Sequence, residues 1–180
     1  MPAALSIDLR TPARQARAAA VARAFVRRAV ATLLPGEEAE ISVWLCGDRT
    51  IRSLNRRFRG IDRATDVLSF PAAEGVPGLR ALGDLIVSLD TSRRRARELG
   101  IPFEDELRRY LAHGLLHLLG HDHERPAEAK RMAALERRLV SAIGLTERSD
   151  PASAPARSSS ARPAPARASP RARGRGRRRS

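Results

Sequence analysis

The chain has 180 residues and a formal charge of +14, a length at which about 150 residues bury roughly 70% of the unfolded surface, so a core forms without covalent staples. Cys46 is the only cysteine, which excludes an intramolecular disulfide and a cysteine-rich zinc knuckle. Nine of the net positive charges fall in residues 151–180, leaving a moderately basic body that suits a polyanionic partner such as RNA and shows no sign of DNA specificity.

Leu5, Ile7 and Leu9 alternate with polar residues and predict a half-buried strand over Ala4–Leu9. Thr11 followed by Pro12 predicts a helix start, with Thr11 as N-cap, and Val21, Phe25, Ala29 and Leu33 form the expected buried stripe up to Pro35-Gly36. Residues 10–34 are also Arg-rich and acid-poor, as in an organellar transit peptide, but the strands on either side favour an internal helix. Glu40–Cys46 reads as a second strand. Asp48 is placed to cap a short helix that turns Ile51, Leu54 and Phe58 inward and ends at Gly60. Asp66–Phe70 and Asp84–Leu89 read as two central strands around the loop Pro71–Gly78. Helices follow over Thr91–Leu99, Glu104–Leu119 and Pro126–Ile143, each stopped by a glycine.

The expected fold is therefore α+β: a small, four-stranded, mostly parallel sheet covered by helices, with a metal site at the end of a helix in the C-terminal half. Residues 1–145 form the expected domain. Residues 146–180, rich in Ala, Pro, Ser and Arg, read as a disordered basic tail. No stretch approaches the ~20 apolar residues that span a bilayer and no secretory signal is evident, so a cytoplasmic protein without a membrane partner is expected.

All four histidines lie within the run HGLLHLLGHDH, residues 113–123. His113 and His117 stand four apart on a predicted helix, which puts both imidazoles on one face, a natural pair for a tetrahedral ion. Gly120 ends that helix and swings His123 back toward the pair. The spacing H-x3-H-x5-H, with glycine between the second and third histidines, matches that of the long zinc-protease motif. Three nitrogens leave one position of the ion open, the mark of a catalytic site. His121 has the wrong phase for a ligand and is expected to face solvent or substrate, while Asp122 either orients a ligand or caps the turn. Gly114 occupies the place of the motif's glutamate, so peptide hydrolysis lacks its usual base unless Glu104, Glu106 or Glu124 is brought near.

The same run, together with LNRRFRGIDRATDVLSFP (residues 54–71) and GDLIVSLD (residues 83–90), resembles the YbeY family of bacterial endoribonucleases and rRNA maturation factors. The resemblance implies a cytoplasmic, single-strand-directed ribonuclease carrying one Zn2+ per chain, which acts in maturing the 3′ end of 16S rRNA and in quality control of ribosomes, with rRNA and the small ribosomal subunit as partners. It places the zinc ligands on His113, His117 and His123 and a functional arginine on Arg59. Arginine suits a phosphoryl group through its fixed fork of donors; the nearby Arg56, Arg57 and Arg63 read as exposed helix and loop charges. Scarce aromatics leave no stacking platform evident. Two alternatives stand beside this reading: a zinc peptidase of the three-histidine type and a non-catalytic RNA-binding assembly factor.

Overall fold

The computed structural model describes residues 4–73 and 77–143. The expected tail, residues 146–180, lies outside the described residues. Nine elements run in the order β1 (Leu5–Arg10), α1 (Ala16–Leu33), β2 (Ala39–Cys46), α2 (Asp48–Arg59), β3 (Val67–Pro71), β4 (Arg80–Ser88), α3 (Leu89–Leu99), α4 (Phe103–Leu118) and α5 (Pro126–Ala142). The α+β class and the four-stranded, mostly parallel sheet match the expectation.

The strand order is β1-β2-β4-β3. β1, β2 and β4 are parallel, whereas β3 pairs with β4 antiparallel, Val67 facing Val87 and Ser69 facing Leu85. β3 is thus an edge strand, not a central one. Its apolar run is explained by cover on both faces. Val67 joins the main core with α1 and α4, and Leu68 and Phe70 join a second, smaller cluster with Ile51, Leu54 and Trp44. Alternation along each strand therefore assigns α1 and α4 to one face of the sheet and α2 to the other.

Three local expectations are corrected. α1 begins at Ala16 after a turn in which the Gln15 amide donates to the Pro12 carbonyl, and Thr11 does not cap it; the Thr11 hydroxyl is buried with no hydrogen-bond partner among the described residues. The stripe of α1 is wider than predicted, with Ala18, Ala22, Val26 and Val30 buried beside Phe25 and Ala29, because the helix beds against both the sheet and α4. Phe58 does not turn inward: it is 56% exposed in the last turn of α2, its ring beside Phe70 of β3 but outside both buried clusters.

Asp48 opens α2 but serves α3. Its carboxylate accepts from the Ser88 hydroxyl at 2.5 Å and the Thr91 hydroxyl at 2.7 Å, while Asp90 accepts from the Asp48 amide at 3.0 Å. Asp90 thus caps the start of α2, while α3 is capped by Ser88, whose hydroxyl accepts from the Thr91 amide at 3.1 Å and is itself held by Asp48. Burial works against the Asp48 carboxylate, yet the hydrogen bonds from Ser88, Thr91 and Arg94 outweigh it and hold its pKa below the ordinary value.

Candidate metal centre

α4 is the platform of the site. Leu107, Leu111, Leu115 and Leu116 are fully buried, and they fix the helix against the sheet while His113 and His117 stand on its half-buried edge. Gly114 faces the sheet. A Cβ built there would lie 2.2 Å from Leu85 Cδ1, 2.9 Å from Val67 Cγ2 and 3.0 Å from Ser69 Oγ. The Ser69 hydroxyl donates to the Gly114 carbonyl at 3.1 Å, tying helix to edge strand. The residue that breaks the protease motif is therefore the one that lets α4 approach β3 and β4 closely, and its place does not point toward the histidines.

After α4 the chain turns on Gly120, at φ 84°. The Gly120 amide donates to the His117 carbonyl and the His121 amide to the Leu116 carbonyl, both at 3.0 Å, a closing pattern that needs a left-handed residue at this point. Asp122 accepts from the His123 amide at 2.6 Å and so shapes the turn. His121 is half-buried and outside the cluster.

The three histidines converge. His113, His117 and His123 each offer a ring nitrogen within 4.8 Å of the others, and His113 Nε2 lies 3.1 Å from His117 Nε2. Two nitrogens held about 2.0–2.1 Å from one tetrahedral ion would be roughly 3.3 Å apart, so this separation fits a shared ion. Burial, with the charges of His113 and His123 next, holds the His117 imidazole below its ordinary pKa. In the absence of an ion this weakens the fold as the pH falls below about 6.5, where the unfolded chain takes up a proton that the folded one resists.

A fourth residue of the site was not legible as such. Glu136 of α5 places Oε2 3.3 Å from His113 Nδ1. A proton on Nδ1 directed at this carboxylate leaves the Nε2 lone pair facing the cluster. Glu136 Oε1 lies 4.0 Å from Arg109 Nε, and Arg109 in turn donates to the buried Glu106 at 3.3 Å. Of the carboxylates considered from sequence, Glu104 pairs with Arg17, Glu106 with Arg109, and Glu124 is exposed. The available signal was the position of Glu136 on the apolar stripe of α5, among the buried Met132, Leu139 and Val140.

The model of the family described as "Endoribonuclease YbeY" matches residues 7–144, which takes in every described helix and the histidine run. The chain belongs to the YbeY family. Among its relatives, an "Endoribonuclease YbeY" of Anaeromyxobacter sp. (strain Fw109-5) is 50% identical over 155 residues, 85% of this chain and 81% of that one. One from Myxococcus xanthus (strain DK1622) is 58% identical over 121 residues, 66% of this chain but only 41% of that longer protein. A solution structure from Thermotoga maritima superposes with a TM-score of 0.56 at 30% identity, covering 77% of this chain and 88% of that one.

Arg59 stands on a different helix from His113 and His117. It is the exposed last residue of α2, on the helix that covers the opposite face of the sheet from α4. It makes no ion pair with any described residue. Among the described residues no helix is long and apolar enough to cross a membrane.

Proposed function

We propose that the chain is a single-strand-specific, zinc-dependent endoribonuclease that acts in the cytoplasm on rRNA of the small ribosomal subunit, in maturation of the 16S 3′ end and in late-stage quality control. The observation that carries this reading is the convergence of His113, His117 and His123 in a chain whose relatives are named endoribonucleases. Three imidazoles suit zinc, and with three protein ligands a tetrahedral ion keeps an open position. When bound, the ion would polarise a phosphoryl oxygen and lower the pKa of water at the site.

The chain's own residues do the rest. Glu136 fixes the tautomer and orientation of His113, and the packed face of α4 holds His113 and His117 in register. Arg59 neutralises charge on a phosphoryl group through its two-pronged donors, while the basic body attracts the RNA strand. The peptidase alternative lacks its carboxylate, because position 114 is spent on the contact with β3 and β4.

The deciding experiment is elemental analysis of the purified chain together with cleavage of a single-stranded RNA by wild type and Arg59→Ala. About one zinc per chain, with cleavage cut about 10²-fold in the arginine variant, is the expected result for a charge-stabilising group. Zinc without cleavage would leave an RNA-binding assembly factor, and absence of metal from protein prepared without chelator would sink the reading. Glu136→Gln keeps the side chain's size and removes its charge. Its zinc affinity, read by competition with a chromogenic chelator, should fall about 10–100-fold, and an unchanged affinity would remove Glu136 from the site.

A further inference from the structure

The exposed end of α2 carries a second device. Phe58 is 56% and Ile61 45% exposed, the two large apolar side chains most open to solvent among the described residues. The Phe58 ring is not loose: its centroid lies 5.1 Å from that of Phe70 on β3 at 57°, and the Arg57 guanidinium lies 5.3 Å from its centre. The turn after α2 is also tied down. The buried Asn55 amide donates to the Arg63 carbonyl at 2.8 Å, and Arg52 pairs with Asp62 at 2.9 Å. Arg56, Arg57, Arg59 and Arg63 are all exposed there, and none lies within 4.0 Å of a described carboxylate oxygen.

An aromatic ring held in place among guanidinium groups that have no described carboxylate partner matches the chemistry of a single nucleic-acid strand, in which bases stack and phosphates carry charge. A duplex would keep its bases stacked away from such a ring. A protein partner would find a small apolar area among four like charges, a composition depleted from interface cores. We propose that Phe58 is a base-stacking platform for single-stranded RNA, with Arg56, Arg57 and Arg63 binding the phosphates on either side. This rests on the ribonuclease reading above and adds where the strand lies and why it must be single. It also explains the exposure of a phenylalanine that lies on the same stripe of α2 as Ile51.

The test is binding of the full chain to a 2′-O-methyl oligouridine of about 12 nucleotides, within the site sizes of known single-strand binders, measured by fluorescence anisotropy at several salt concentrations. Phe58 is exposed, so its replacement leaves the fold intact. Phe58→Ala should weaken binding roughly 5- to 150-fold, the range that loss of one base–aromatic stack gives, with the salt dependence unchanged. Phe58→Trp should restore affinity and Phe58→Leu should not. Arg57→Gln should instead flatten the salt dependence by about 0.7 in slope. Equal binding by wild type and Phe58→Ala overturns the proposal while leaving the ribonuclease reading intact. Full affinity in Phe58→Leu reduces the contact to a non-specific apolar one and overturns stacking. Wild type that binds no RNA even at low salt removes the ribonuclease reading and this inference together. Self-association in sedimentation that Phe58→Ala abolishes, with RNA binding untouched, assigns the surface to a second copy of the chain.

Discussion

Replacing His117 by alanine is expected to take the zinc content from about one ion per chain to near none after dialysis and to reduce RNA cleavage to background together with it. The reason is the site's economy of ligands. With three imidazoles, loss of one leaves two, and His117 is the member whose Nε2 lies 3.1 Å from that of His113. No other described histidine, cysteine or acid joins the group to take its place. The fold should survive, because His117 is only half-buried and the core side of α4 is untouched. RNA binding should survive as well, since the arginines of α2 stand on a different helix. Elemental analysis, cleavage and anisotropy on the same sample separate the three quantities. Full cleavage by a metal-free His117→Ala chain would refute the mechanism.

The second large effect concerns Gly114. Substitution by glutamate would complete the zinc-protease motif in sequence, yet it should strongly destabilise the fold rather than convert it. The new side chain would start within 2.2 Å of Leu85 Cδ1 and 2.9 Å of Val67 Cγ2, and it would carry a carboxylate into an apolar face. Overpacking alone costs about 1–3 kcal/mol. An unpaired buried polar group adds about 1–3 kcal/mol, more when charged. Against a total stability of roughly 5–15 kcal/mol, urea denaturation should show a midpoint lowered by a large fraction. Gly114→Ala should fall between the two, its clash offset by about 1 kcal/mol of helix propensity. A Gly114→Glu chain with the wild-type midpoint would show that α4 does not approach β3 and β4 closely enough to exclude a side chain at position 114.

Much of the fold was readable because its patterns are local. The alternation in Leu5–Leu9 and the glycines after α2, α3 and α4 mark elements within a residue or a few of their observed bounds. The histidine cluster was readable for the same reason, since helix pitch and one turn determine where His113, His117 and His123 meet. What was missed depends on neighbours distant in sequence. β3 is as apolar as a central strand because helices cover both of its faces, and no local pattern reveals that no described strand pairs with its outer edge. Phe58 has the helical phase of a buried residue, but at the last turn of α2 it meets only the edge strand, beside Phe70, and stays 56% exposed. Glu136 meets His113 from 23 positions away, across the turn between α4 and α5.

The unequal standing of the three histidines has a consequence for how the centre assembles. Two are anchored before any ion arrives, one turn apart on a helix whose other side is locked in the core. The third, His123, is exposed and lies in the non-helical link between α4 and α5. Capture of an ion would then mainly steady the exposed third imidazole against two that the helix already holds. The ordering cost would fall on the few residues from Gly120 to His123. Affinity can thus be tuned by changes in this short link, through the effective concentration of one imidazole, without disturbing the core or the two fixed ligands.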